Sequence, residues 1–470
     1  MNVPDPARPA DVDRDRAAAT IPFRDALRFW AKLGCISFGG PAGQIALMHR
    51  ALVDERRWIS ERRFLHALHY CMLLPGPEAQ QLATYLGWLM HRTVGGLAAG
   101  ALFVLPSLVL LVALAWLYLA FGHTALVTGL FFGIKPAVMA LVLQAAWRLG
   151  TRTLRHPALW AIALAAFVAL AWGHAPFPAI VIGAGVIGAI GARLVPRVFA
   201  PPAAPPSTPG VTPVESVASP GAWPSAPRAA VIDDDTPTPS HARFSRARLL
   251  AVLGAGALLW LVPFGTLLAS VGIAHPFTQM AWFFTKAALL TFGGAYAVLP
   301  YVWQGAVVEQ RWLAPGQMID GLALGETTPG PLIMVVVFVA FVGGWTTAPF
   351  GVELGWASGL VAALLVTWFT FLPSFVFILA GGPLVERTRD VPAFTGPLRA
   401  VTAAVVGVIA NLALFFGVHV LWPDGFGGRF DAVSALIAVA AAVALMRLRR
   451  DPIHVIVACA LVGLVWRSIG

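Results

Sequence analysis

Helix-breaking residues inside apolar runs constrain this chain more than any other feature. Phe38-Gly39-Gly40 interrupts the apolar stretch Ala26–Met48, and Pro75-Gly76-Pro77 interrupts Phe64–Met90. Backbone that leaves helical geometry within a bilayer has no water to satisfy its N–H and C=O groups, so it is tolerated only inside protein or beside a water-filled cavity. Both breaks occur twice. Read from Phe29 and again from Phe283, two stretches align without a gap at a constant offset of 254. Phe29, Lys32, Phe38, Gly39, Gly40, Val53, Glu55, Arg57, Trp58, Leu68, Pro75, Gly76 and Pro77 return as Phe283, Lys286, Phe292, Gly293, Gly294, Val307, Glu309, Arg311, Trp312, Leu322, Pro329, Gly330 and Pro331. These are 13 identities in 49 positions, where unrelated sequences of ordinary composition give about three. The chain is an internal duplication. Loop punctuation is the competing reading of Gly and Pro clusters, but here the same charged residues flank each cluster at the same distances. In transporters, paired breaks in two halves point to the substrate site.

Only 11% of the 470 residues are charged and 58% are hydrophobic, against about 25% charged in soluble proteins. This composition marks an all-α integral membrane protein whose partner is the lipid bilayer. Residues 1–20 form a polar tail without an apolar core, so no cleavable signal peptide is expected and the amino terminus stays cytoplasmic. A net charge of +10 comes from basic clusters beside apolar spans, which set topology; no recognition motif accompanies them, so no nucleic-acid partner is expected. Cys35, Cys71 and Cys459 show neither disulfide nor metal spacing. No P-loop, no dinucleotide fingerprint and no metal-ligand His pair is present, and His66 with His69 carry no ligand signature. The sequence therefore predicts no metal, no cofactor and no enzymatic activity.

Thirteen apolar stretches fall into six, one and six. The first repeat covers 21–195, a Pro-rich segment expected to be disordered covers 196–246, a connecting helix covers 247–272 and the second repeat covers 277–470. Pro106-Ser107 recurs as Pro373-Ser374 at an offset of 267, so the second copy gains residues after its Pro-Gly-Pro. One odd helix between two equal sets turns the second copy upside down. Charge agrees: His49–Arg63 holds five arginines, whereas Trp303–Gln317 holds Arg311 alone, and basic residues accumulate in cytoplasmic loops. Those five arginines stay inside if the broken stretches are re-entrant. Nine full spans and four re-entrant hairpins result, with the carboxyl terminus outside; thirteen full crossings are the alternative.

These residues also carry a family resemblance. Lys32 followed by Phe-Gly-Gly-Pro, Asp54-Glu55-Arg56-Arg57-Trp58, Leu74-Pro75-Gly76-Pro77-Glu78, Lys135-Pro136-Ala137 and the block Thr402–Val408, with the skeleton repeated in a second half, resemble the chromate ion transporter family in its long two-domain form. The match spans nearly everything but the tail and the Pro-rich segment. It implies chromate efflux at the bacterial inner membrane, conferring resistance, with sulfate as the structural mimic. The sequence leaves the oligomeric state open, a homodimer included.

Chromate and sulfate are tetrahedral dianions, and half-helix amino termini offer them free N–H groups and a favourable dipole without full charges. The half-helices after Gly40, Pro77, Gly294 and Pro331 are the candidates, giving a substrate set of Lys32, Phe38, Gly39, Gly40, Pro75, Gly76, Pro77, Lys286, Phe292, Gly293, Gly294, Thr328, Pro329, Gly330 and Pro331. Either lysine alone, Lys32 or Lys286, is equally readable as snorkelling to the interface, but the duplication of both favours a functional role. Arg57, Trp58, Arg311 and Trp312 are gate candidates or interface anchors. Glu78 and Glu326 break the symmetry and are candidate proton carriers, although a carboxylate at a helix start also complements the dipole. Thr328, like Thr327, either donates to substrate or bonds its own helix. Lys135 is matched by Thr402, so any role it has is one-sided.

Inversion makes a direct prediction. Single cysteines within Val53–Ser60 should be labelled from the cytoplasm, and those within Val307–Leu313 from outside; access to both from one side would rule inversion out.

Overall fold

The computed structural model describes residues 21–38, 40–173, 175–195, 230–234, 236, 239–292, 294–386, 395–423 and 425–469. Gly39, Gly293, the tail at 1–20 and the segment 196–229 lie outside the described residues. Among the described residues all regular structure is helical apart from one isolated bridge between Ile59 and Ile232. The first half comprises α1 (Phe23–Ile36), α2 (Gly40–His49), α3 (Glu61–Leu73), α4 (Glu78–Phe121), α5 (Ala125–Thr153), α6 (Pro157–Ala171) and α7 (Phe177–Leu194). After α8 (Arg246–Val271) come α9 (Pro276–Leu290), α10 (Ala295–Trp303), α11 (Pro315–Thr327), α12 (Val335–Thr347), α13 (Gly355–Val385), α14 (Thr395–Leu421), α15 (Ala432–Met446) and α16 (Pro452–Ile469).

Seven helices, α4, α5, α7, α8, α13, α14 and α16, include stretches long and apolar enough to cross a membrane. Two further segments expected to cross, α6 and α15, are apolar but have 15 residues each. At 1.5 Å per residue that is about 22 Å, short of a hydrocarbon core of about 30 Å. The broken stretches behave differently. Helices α1, α2, α3 and α9 to α12 have between 9 and 15 residues, and none of them spans the core alone. Helix α4 is itself two helices, because His91 and Arg92 leave helical geometry, with φ 57° at Arg92. Its first part is the partner of α3, and its second part is a long span.

The two halves share local geometry that no composition argument anticipates. Helices α2 and α10 each run into a π-helical turn, Arg50–Glu55 and Gln304–Glu309. Arg57 and Arg311 follow in left-handed conformation, with φ 50° and 53°. The Trp58 N–H donates to Leu52 O at 2.8 Å, and the Trp312 N–H to Ala306 O at 2.8 Å. Each tryptophan then meets the equivalent phenylalanine edge-on, Phe29 at 5.4 Å and Phe283 at 5.6 Å. A left-handed residue that is not glycine strains the backbone, so the same strain at equivalent sites reflects a shared turn.

The Pro-rich segment was expected to stay unstructured as far as residue 246, and its end departs from that. Val231 and Ile232 N–H groups donate to Arg57 O and Trp58 O, both at 3.0 Å, while Ser60 N–H donates to Ile232 O at 3.0 Å. The Ser60 hydroxyl donates to Asp234 at 2.6 Å, and His241 Nε2 lies 3.0 Å from Trp88 O. Ala242 is fully buried, and burial lowers the His241 pKa from its ordinary value. Composition missed this because the strap gains its partners from the loop after α2, not from a core of its own.

Close packing relies on small residues, as expected where lipid gives helices no hydrophobic reason to associate. Gly129 and Gly133 on α5 face Cys459 and Gly463 on α16, and a Cβ at Gly133 would run into the Cys459 carbonyl. Gly95, which reads as a loop position in sequence, is buried in α4 against Gly87. Gly133→Ala should therefore lower thermal stability in detergent by about 1–3 kcal/mol, the usual range for overpacking. Gly183→Ala, where nothing lies within 4 Å, should leave the melting curve unchanged.

Candidate functional site

The four breaks meet in crossed pairs, each made of one break from either half. The Gly76 N–H donates to Thr291 O at 2.8 Å, and the Gly330 N–H donates to Ser37 O at 2.8 Å. Ser37 and Thr291 are equivalent positions, as are Gly76 and Gly330, so each bond is the image of the other. The glycines are required: φ is 125° at Gly76, 108° at Gly330, 69° at Gly40 and 97° at Gly294, values that side chains rarely adopt. Flanking prolines fix the turn. Pro77 and Pro331 are extended, at φ −76° and −61°, and the half-helix after each begins with unpaired N–H groups.

Side chains close around these turns. A Cβ at Gly76 would lie 2.5 Å from Ser374 Oγ and 2.6 Å from Gln81 Nε2, and a Cβ at Gly330 would lie 2.7 Å from Ser107 Cβ. Gln81 Nε2 donates to Pro75 O at 2.7 Å. Gln44 Nε2 donates to Ser37 O at 3.2 Å and also to Gly330 O, which ties the second junction together. Gln44 Oε1, Gln80 Oε1, Gln81 Oε1 and the Ser107 hydroxyl are buried without a hydrogen-bond partner. Unpaired buried polar atoms cost free energy, typically about 1–3 kcal/mol each. Ser107 and Ser374 were visible in sequence as the Pro-Ser repeat, without an assigned role. Gln44 and Gln81 face Val298 and Val335 in the alignment, so the duplication could not reveal them.

The expected site residues fall into two groups. Gly40, Pro75, Gly76, Pro77, Gly294, Pro329, Gly330 and Pro331 build the junctions. Phe292 lines an adjoining cavity of about 860 Å³ with Leu74, His66 and His69; Phe38 is 38% exposed. A second cavity of about 570 Å³ shares His66 and His69 and is lined as well by Glu61, Arg62, Arg63, Asp234 and Glu386. Glu78 starts α4, and its Oε1 would lie 3.9 Å from a Cβ at Gly294. Glu326 is buried and accepts a hydrogen bond from the Tyr296 hydroxyl. Thr327 and Thr328 bond carbonyls of their own helix, at 3.0 Å to Ala323 O and 3.1 Å to Gly325 O.

The second group lies elsewhere. Lys32 sits on the exposed face of α1 with Arg28. Lys286 lies 5.7 Å over the Trp282 ring, on a face of α9 where Trp282 and Leu289 are exposed. Lys32 is thus exposed and Lys286 half-buried. Arg57 and Arg311 are exposed at their turns; Trp58 is half-buried, and Trp312 is buried beside Arg311 at a cavity of about 580 Å³.

Comparison with known proteins gives these features a context. A chromate transport protein of Cupriavidus metallidurans is 27% identical over 468 residues, covering 99% of this chain and 98% of the relative. One of Pseudomonas aeruginosa is 31% identical over 409 residues, covering 86% and 83%. The uncharacterized transporter YwrB of Bacillus subtilis is 28% identical over 134 residues, covering 28% of this chain and 68% of the relative. No solved structure matches the chain. The chromate transporter family model matches residues 24–189 and 278–464, one block in each half and each containing its two breaks. This multi-pass membrane protein thus belongs to the chromate transporter family.

Proposed function

We propose that this chain exports chromate from the cytoplasm by alternating access, with the dianion held at the crossed junctions by half-helix N–H groups and neighbouring hydroxyls. The observation that carries the reading is the exchanged pairing of breaks, Gly76 with Thr291 and Gly330 with Ser37. A site made equally from both halves is disassembled on one side and completed on the other when the halves rock. In this reading the repeats are inverted, the amino terminus is cytoplasmic and the carboxyl terminus is periplasmic. The cavities lined by His66 and His69 are then the cytoplasmic entrance, where Arg62 and Arg63 stand among Glu61, Asp234 and Glu386. Sulfate, of the same charge and shape, competes. Glu326, held by Tyr296 close to the second Pro-Gly-Pro, exchanges the proton that couples transport; Glu78 is its counterpart on the first.

Chromate uptake into inverted vesicles, but not into right-side-out vesicles, is the expected result, enhanced by an inward-acid proton gradient. Uptake of equal size in both, indifferent to the gradient, would identify a passive channel. Gly76→Ala and Gly330→Ala should each lower flux per folded protein by about tenfold, because strain of about 1–2 kcal/mol at a left-handed residue translates to that factor. Gly183→Ala is the neutral comparison, and equal flux in all three would move the site away from the junctions. Glu326→Gln should retain chromate–chromate exchange while losing its response to the gradient. A gradient response as large as that of the parent would remove Glu326 from coupling.

A further inference from the structure

The duplication relates residues that line two different cavities. His66, which lines the cavity of about 860 Å³ described above, is equivalent to Asp320; Val385 and Leu398, which also line it, are equivalent to Tyr118 and Phe131. Asp320, Tyr118 and Phe131 line a separate cavity of about 420 Å³. Where His66 Nε2 lies 3.4 Å from Val385 O, the second half has the Tyr118 hydroxyl donating to Asp320 Oδ2 at 2.8 Å. Lys135 Nζ completes this cluster at 3.6 Å from the same oxygen. The Asp320 side chain is 4% exposed, and its Oδ1 has no hydrogen-bond partner. Thr402, the equivalent of Lys135, bonds only its own helix, at 2.7 Å to Leu398 O. One cavity is thus large and unlatched, and the other is smaller and bridged by an ion pair.

We propose that Lys135, Asp320 and Tyr118 form a gating latch that holds the second cavity shut while the first stands open, and that transport requires the Lys135–Asp320 pair to part. The latch joins elements that must separate: Lys135 is on α5, Tyr118 near the end of α4 and Asp320 on α11, eight residues before the break at Thr328. Opening brings the second cavity to the geometry of the first and leaves the Lys135 ammonium facing the anion path. The other charged groups there are engaged. Asp431 caps α15 through the Val433 and Ser434 N–H groups, and the Arg467 guanidinium lies 5.6 Å over the Phe132 ring. Lys135 and Asp320 are therefore gating residues placed on one side only, which is why the repeat alignment leaves Lys135 without an image. The proposal rests on the alternating-access reading, but its test does not need flux.

Ala323, the image of His69, is 1% exposed, whereas His69 is open to its cavity. The full chain lacking Cys35, Cys71 and Cys459 and carrying Ala323→Cys is treated in membranes with an anionic methanethiosulfonate reagent. Asp320→Asn, which keeps an acceptor for Tyr118, and Lys135→Met should each speed labelling about fivefold, the scale of one partly exposed ion pair. The double variant should match the singles, because both changes release the same latch. Unchanged rates in both single variants would overturn the proposal, provided that His69→Cys labels as in the parent; so would a double variant showing the product of two independent effects. Absence of chromate flux from the parent would instead count against the transport reading and leave the labelling result interpretable.

Discussion

Two backbone hydrogen bonds, Gly76 N–H to Thr291 O and Gly330 N–H to Ser37 O, make the rest of the architecture possible. A helix broken within a membrane must find partners for the groups it frees, and neither half supplies them for itself. Each Pro-Gly-Pro turn borrows a carbonyl from the Phe-Gly-Gly break of the other half. The halves are consequently obligate partners at the centre of the molecule, although a long connecting segment and α8 separate them in sequence. Glycine is needed twice over at these points, for its positive φ and because Ser107 and Ser374 press against the turns.

Much of this was legible before any coordinates. Gly and Pro in apolar runs located the breaks, since their backbone chemistry is local and does not depend on neighbours. The inequality of the two arginine-bearing loops was likewise plain in the sequence. What escaped was relational. Gln44 and Gln81 act by reaching across to breaks that are distant in sequence, and nothing in their own surroundings marks them. The strap around Val231, Ile232 and Asp234 looked like the rest of a Pro-rich linker because its order comes from hydrogen bonds to Arg57, Trp58 and Ser60. Lys32 and Lys286, repeated at one distance from a break, differ in their surroundings: Lys32 is exposed, whereas Lys286 is half-buried over the Trp282 ring.

Two groups of departures from symmetry lie near the features described. Near the junctions, Glu78, Gln44, Gln81, Tyr296 and Glu326 each lack an image of the same chemistry. Farther out, the Lys135–Asp320 pair stands opposite His66 and Thr402. Equivalent positions in the two halves thus carry different chemistry, and a difference of about 1.4 kcal/mol between two arrangements is already a tenfold difference in population.

The π-helical turns after α2 and α10 bear on the history of the chain. Such a turn holds one more residue than α-helical geometry accommodates, the mark of a single-residue insertion. Both halves carry it at the same place, followed by the same left-handed arginine and the same tryptophan contact. The π-turn is therefore common to both halves, and so is the Phe-Gly-Gly and Pro-Gly-Pro pair, whereas the ion pair at Lys135 has no equivalent in the other half. The crossed bonds that now join two halves of one chain are also the bonds that two copies of a single ancestral half would have exchanged, which makes gene fusion a change of connectivity and not of chemistry.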